Sequence, residues 1–299
     1  MRRAWLSTDG LLLVTVVIWA LNISVTRYVL THGFRPLAYA SIRYGLAAAV
    51  FAALTLAAER TLSVGGRRSL ALVGLAVLFL WGNQLAFVYA LRLTTATTVA
   101  LVLGTTPVFA ALASSLLGLE RLTGRFWAGL LASFAGVALV ALGSGGSLGG
   151  DLGGVLLSVF LAASWAGYSV TVAPLMRRYS PLRISAVVLS VMWVPLVAVS
   201  ASQLQSQDYG ALDGKLWLLL AFAVLGPLVL TNVLWFTAID RVGPSHATLF
   251  ANLEPFVAAL FAFLLLSEHL SSAQVGGGAA IAAGILLAGR RPSVAAPAE

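Results

Sequence analysis

The sequence contains no cysteine, which excludes a disulfide, a thiolate metal site and a thiol nucleophile. It is also poor in charge: Asp, Glu, Lys and Arg make up only 9% of the 299 residues, against roughly 25% in soluble globular chains. There are 10 acidic residues and 3 histidines. No two acids fall together inside an apolar segment and no HExxH pattern occurs. Acid–base and zinc-hydrolase chemistry therefore lack their parts, and no catalytic residue, metal or cofactor is expected.

What the chain does have is apolar length. Hydrophobic residues are 60% of the total and the mean hydropathy is +0.97. Charge-poor stretches fall at 10–31, 36–58, 70–91, 94–118, 126–143, 152–175, 182–202, 216–239, 244–266 and 273–289, each near the roughly 20 residues that a spanning helix needs. The expected fold is thus an all-α membrane protein with ten transmembrane helices, its first partner being the lipid bilayer. The first stretch follows Arg2 and Arg3 but runs on through Asn22 without a small-residue cleavage site, so it reads as a retained helix and not a leader.

The net charge of +8 does not point to nucleic acid, because the basic residues sit in short loops between spans. With the N-terminus inside, the cytoplasmic side collects Arg2, Arg3, Arg60, Arg67, Arg68, Arg121, Arg125, Arg177, Arg178, Arg183, Arg241, Arg290 and Arg291. The other side keeps only Arg35, Arg92 and Lys215 in loops. That asymmetry places both termini in the cytoplasm.

The chain also repeats itself. An offset of 148 residues lays TTPVFAALASSLLGLERLT, from Thr105, over LEPFVAALFAFLLLSEHLS, from Leu253. Pro107 then falls on Pro255, Glu120 on Glu268, Gly129 on Gly277 and Gly136 on Gly284. Composition bias matches Ala with Leu-rich runs, but it does not match Pro, Glu and Gly in one register. Residues 1–147 and 148–299 are therefore expected to form two five-helix repeats, joined by the Gly-rich GSGGSLGGDLGG from Gly143. An odd helix number inverts the second repeat relative to the first, a common transporter plan.

An apolar run, a proline, LLxxE, a short polar turn and a Gly-containing last helix, seen from Pro107 to Gly136 and again from Pro255 to Gly284, resemble the ten-helix EamA-type exporters of the drug/metabolite transporter superfamily. The likeness covers nearly the whole chain and is similar in particular to bacterial inner-membrane exporters of aromatic amino acids. It implies a central cavity opened alternately to either side and a small-molecule substrate, such as amino acids, purine-like metabolites or toxic cations. Nothing in the sequence asks for more than one copy, so a monomer is the expected unit.

Polar side chains in a membrane interior face protein or a water cavity, since a charge there costs about 2.5–3.5 kcal/mol on insertion scales. The candidate cavity residues are accordingly Trp19 and Asn22 in the first helix, Arg43 in the second, Trp81, Asn83 and Gln84 in the third and Thr106 in the fourth. The second half adds Trp165, Tyr168, Asn232, Trp235, His246, Asn252 and Glu254. Pro107 and Pro255 are expected to break their helices, freeing the carbonyls four residues earlier at Leu103 and Ala251. Glu254 has no acidic twin, since Thr106 holds its place in the first repeat, whereas Glu268 and Glu120 match and are expected to serve a cap or a turn at helix ends by the membrane edge.

Overall fold

A computed structural model describes residues 8–116, 124–143, 150–242, 250–251 and 253–289, and all the regular structure among them is helical. Helix α1 (Thr8–Thr31) turns at Gly33, whose φ of +116° suits a residue without a Cβ, into α2 (Pro36–Glu59) and α3 (Arg67–Leu93). The fourth expected span appears as two pieces, α4 (Ala96–Leu103) and α5 (Thr106–Leu116), followed by α6 (Gly124–Gly143). The second half opens with α7 (Gly150–Met176) and α8 (Pro181–Ser206). Its eighth expected span, 216–239, is not one uniform helix: α9 (Gly214–Val224) passes through a π-helical turn, Leu225–Leu230, into α10 (Thr231–Val242). Helices α11 (Glu254–Leu266) and α12 (Ser272–Gly289) complete the described chain.

Among the described residues eight helices, counting α4 with α5 and α9 with α10 as single spans, are long and apolar enough to cross a membrane, and α11 and α12 are shorter apolar helices. The ninth expected span, 244–266, begins outside the described residues. Many of the largest exposed side chains are leucines, with Leu116, Leu131, Leu142, Leu218 and Leu286 each at least 69% exposed. An apolar exterior of that kind is costly in water and ordinary in lipid, and the chain is a multi-pass membrane protein.

Helix starts are set locally. Ser180 and Asp213 accept from the backbone N–H three residues on, at 3.1 and 2.8 Å, and Thr95 does the same for Thr98 at 3.1 Å. Pro36 and Pro181 occupy first-turn positions where their missing N–H costs nothing.

The largest packed cluster lies between the helices of both halves and includes Phe34, Tyr39, Tyr44, Phe51, Phe87, Met192 and Leu196. Helix α2 packs on α8, α3 on α7, α1 on α10 and α11, and α5 on α7. Trp193 lies over Gly45, where an added Cβ would come within 2.6 Å of its Nε1, and that indole donates to the Ser41 carbonyl at 2.9 Å.

Helices α6 and α12 meet through glycines. A Cβ on Gly136 would lie 2.6 Å from the Gly277 carbonyl, one on Gly277 would lie 2.6 Å from the Gly136 carbonyl, and one on Gly284 would lie 2.5 Å from the Gly129 carbonyl. Side chains of any size would hold these backbones apart.

At one end of the bundle Glu59 accepts from Ser180 Oγ and pairs with Arg183 Nη2 at 2.5 Å, tying α2 to α8. At the other end of the same helix pair the link is neutral: Gln207 accepts from the Arg35 backbone N–H at 2.7 Å and Gln203 from that of Leu37 at 2.8 Å.

Candidate functional site

Two helix breaks lie at the centre of the site. Pro107 cannot donate to the Leu103 carbonyl, and α4 stops there; the Thr106 hydroxyl donates to that oxygen at 2.7 Å instead. Pro255 sits in the first turn of α11, where the chain restarts after a turn at Leu253. The two breaks touch, since a Cβ on Gly104 would come within 3.4 Å of Pro255 Cγ. Irregular backbone at membrane depth is tolerated where it is covered by protein or lines a cavity.

A third break was not expected from the sequence. Pro227 sits in the π turn, and its missing N–H leaves the Ala223 carbonyl without an α-helical donor. Arg43 supplies one, its Nε donating to Ala223 O at 3.2 Å. On the other side Trp19 Nε1 donates to Thr231 Oγ1 at 2.9 Å and lies 3.3 Å from the Pro227 carbonyl, which also accepts from Thr231 Oγ1 at 2.6 Å. The sequence signal was an isolated proline in an apolar run, which Pro195 also carries inside the continuous helix α8.

Arg43 is only 4% exposed. Its guanidinium is 5.5 Å from the Tyr44 ring, 5.7 Å from Phe87 and 6.0 Å from Tyr39, within reach of cation–π attraction. Among the described residues no carboxylate pairs with it, and Glu254 has no hydrogen-bond or ion-pair partner either. Tyr39 extends the polar path to α1, where its hydroxyl lies 3.2 Å from Thr26 Oγ1, which reaches Asn22 Oδ1 at 3.5 Å.

The other expected residues divide. Trp19 and Trp235 come together with ring centroids 5.1 Å apart, and Asn232 faces Ser185 at 3.4 Å and its own helix at Leu228 O. Asn83 turns to α7, donating to Leu161 O at 3.0 Å and Ser164 Oγ at 3.2 Å, while Gln84 Nε2 donates to Asn83 Oδ1 at 2.8 Å. Trp81 Nε1 and Gln84 Oε1 are enclosed and unpartnered. Tyr168 packs against the cluster that holds Tyr39, Tyr44 and Phe87, whereas its ring neighbour Trp165, 5.5 Å away, is 40% exposed. His246 and Asn252 lie outside the described residues.

Two surface grooves belong elsewhere. One of about 390 Å³, between α11 and α12, is lined by Phe256, Leu260, Phe263 and Val275; another of about 340 Å³ runs along α3 past Trp81, Tyr89 and Phe160. Both are open and apolar, as surfaces that hold lipid chains are, and neither touches Arg43 or Glu254.

Glu268 lies apart from this centre. Its carboxylate receives the backbone N–H groups of Ala96 and Thr97 at 3.0 and 2.9 Å, capping the start of α4 from the other half of the chain.

Comparison with known proteins adds the family. The EamA-like transporter family matches residues 6–142 and matches again over residues 152–290. The chain belongs to the EamA-like transporter family. Similar proteins include the uncharacterized inner membrane transporter YedA of Escherichia coli, 29% identical over 58% of this chain and 56% of that protein. A probable terminal-alkyne amino-acid exporter of Streptantibioticus cattleyicolor is 27% identical over 66% of this chain and 65% of its own length. An uncharacterized transporter of Archaeoglobus fulgidus is 24% identical over 94% and 98%. The chain thus spans little more than half the length of the first of these, and nearly all of the third. A solved protein structure with 21% identity and a TM-score of 0.62 covers 94% of this chain and 98% of its own, which establishes likeness of fold.

Proposed function

We propose that this EamA-type transporter exports amino acids, chiefly aromatic or other large neutral ones, across the bacterial inner membrane through a central site between two inverted repeats. The observation that carries this reading is the convergence of broken helices and buried polar or aromatic groups from both halves: Trp19 with Thr231 and Trp235, and Arg43 with Ala223. Transporter sites form where discontinuous helices of two repeats meet near the midplane.

Several features support the repeats. The family matches each half separately. The 148-residue offset exchanges Gly129 with Gly277 and Gly136 with Gly284, so it turns the Gly136–Gly277 contact into the Gly284–Gly129 contact. It likewise exchanges the packing of α3 on α7 with that of α10 on α1. Each repeat contributes five helices, ten in all, with both termini cytoplasmic on the loop charges. One copy holds both halves of the site, so a monomer is sufficient.

The amino-acid cargo draws on two supports, the resemblance to aromatic amino acid exporters and the similarity to a probable amino-acid exporter. A buried arginine with no counter-ion among the described residues argues against cationic cargo, since two unneutralised positive charges would share one apolar enclosure. The test is proteoliposomes loaded with a panel of amino acids, amines and purines. Protein-dependent release is expected for large neutral amino acids above small or cationic ones; release no faster than from protein-free vesicles across the panel would end the exporter reading.

A further inference from the structure

Three polar atoms without a hydrogen-bond partner among the described residues, the two terminal nitrogens of Arg43 and Gln84 Oε1, bear on the head-group chemistry of the cargo. Arg43 uses Nε on the Ala223 carbonyl, and that bond fixes the guanidinium plane while its two terminal nitrogens donate to no described group. Those nitrogens are also not among the fully enclosed, unpartnered polar atoms, so they keep a little accessible surface inside a residue that is only 4% exposed. A planar fork with one edge anchored and the other free is the geometry that binds a carboxylate through two parallel bonds.

The third atom is an acceptor, and its identity follows from a chain of donors. The Leu161 carbonyl only accepts, so the Asn83 group facing it at 3.0 Å is the amide nitrogen. Asn83 therefore presents its oxygen to Gln84, whose own nitrogen must donate to it, at 2.8 Å. Gln84 is left with Oε1 free, enclosed and unpartnered in a side chain only 5% exposed. Gln84 precedes Phe87, the residue whose ring lies 5.7 Å from the Arg43 guanidinium, by three positions, about one turn along the same face of α3.

We propose that Arg43 and Gln84 together hold a zwitterion once the site opens, with the carboxylate of an α-amino acid on the free edge of Arg43 and its ammonium on Gln84 Oε1, which is enclosed in the conformation seen. The proposal rests on the exporter reading and narrows it, because it requires both charged groups on the cargo. It separates amino acids from the amines, esters and purines that an aromatic enclosure alone would accept.

The test is competition in proteoliposomes carrying the full chain and labelled phenylalanine, with phenylalanine, its methyl ester, phenethylamine and N-acetylphenylalanine as competitors. In the native protein unlabelled phenylalanine is expected to compete about tenfold or more better than each of the others, the worth of one charge-assisted hydrogen-bonded contact. Arg43→Gln is expected to erase the preference over the ester and the amine while keeping that over the N-acetyl compound. Gln84→Leu is expected to do the reverse. Esters and amines competing as well as phenylalanine in the native protein would overturn the proposal whether or not the variants fold. So would variants that transport with both preferences intact. Flux without head-group preference removes this proposal and leaves the exporter standing, whereas absence of any flux removes the exporter itself.

Discussion

Adding one methyl group at Gly277 destabilises the protein, while the same methyl one residue earlier at Gly276 does not. The Gly277 Cβ would lie 2.6 Å from the Gly136 carbonyl and 2.8 Å from the Val140 backbone nitrogen, and backbone of a packed helix cannot turn aside as a flexible side chain does. At Gly276 nothing lies within 4 Å. Gly277→Ala therefore forces α6 and α12 apart, at a cost of about 1–3 kcal/mol. Gly276→Ala gains helix propensity and is neutral or stabilising by about 0.5–1 kcal/mol. Thermal unfolding of the detergent-solubilised variants reads the difference, and equal midpoints would mean that the two helices do not meet through these glycines.

Glu268→Ala is the second large effect. The carboxylate accepts two backbone N–H groups, from Ala96 and Thr97, at a helix start where these donors have no partner within the helix. It also places negative charge at the positive end of the α4 dipole. Removing it leaves both donors short of a partner at a part-buried junction between the halves, with an expected loss of about 1–3 kcal/mol. Glu268→Gln keeps one good acceptor oxygen and should lose less. Unfolding midpoints in the order native, Gln, Ala are expected; an alanine variant as stable as the native protein would show that the cap contributes nothing.

Part of this was legible in the sequence because it rests on residues with strong local preferences. Proline favours the first turn of a helix without compelling a break, since Pro174 and Pro195 lie inside α7 and α8, and Pro107 and Pro255 stand in the first turns of α5 and α11. A glutamate shared by both repeats beside a polar turn suggested a cap or a turn, and Glu268 caps α4, while Glu120 lies outside the described residues. The glycine register marked only the repeat; that Gly136 and Gly277 bring α6 and α12 into close contact shows in the backbone. Pro227 carried the same signal as the other prolines, yet the apolar run around it reads as one span, and the π turn shows only when the backbone is traced.

Side-chain direction was harder to read. In lipid a helix is apolar on most of its circumference, so periodicity does not separate the face toward protein from the face toward the bilayer. Trp165 and Trp19 occupy equivalent-looking sequences, but Trp19 bonds across to Thr231 while Trp165 stays 40% exposed. Asn83 looked like a cavity residue and instead spends its amide on the α7 backbone at Leu161, fixing the orientation of its neighbour Gln84. The partner of Arg43 lies 180 residues away in sequence, on a carbonyl exposed only because Pro227 lacks a proton. No local pattern contains that pairing.

The central claim is that one site between the halves opens alternately to each side of the membrane and holds cargo there. The chain contains no cysteine, so a single Asn22→Cys substitution gives a unique probe on the buried polar face of α1 without removing native thiols. Reaction with a membrane-impermeant maleimide is measured in oriented vesicles, from one face and then from the other, with and without a large neutral amino acid. Labelling from both faces, slowed by the amino acid, is the expected result; labelling confined to one face and indifferent to every amino acid in the panel would contradict the account.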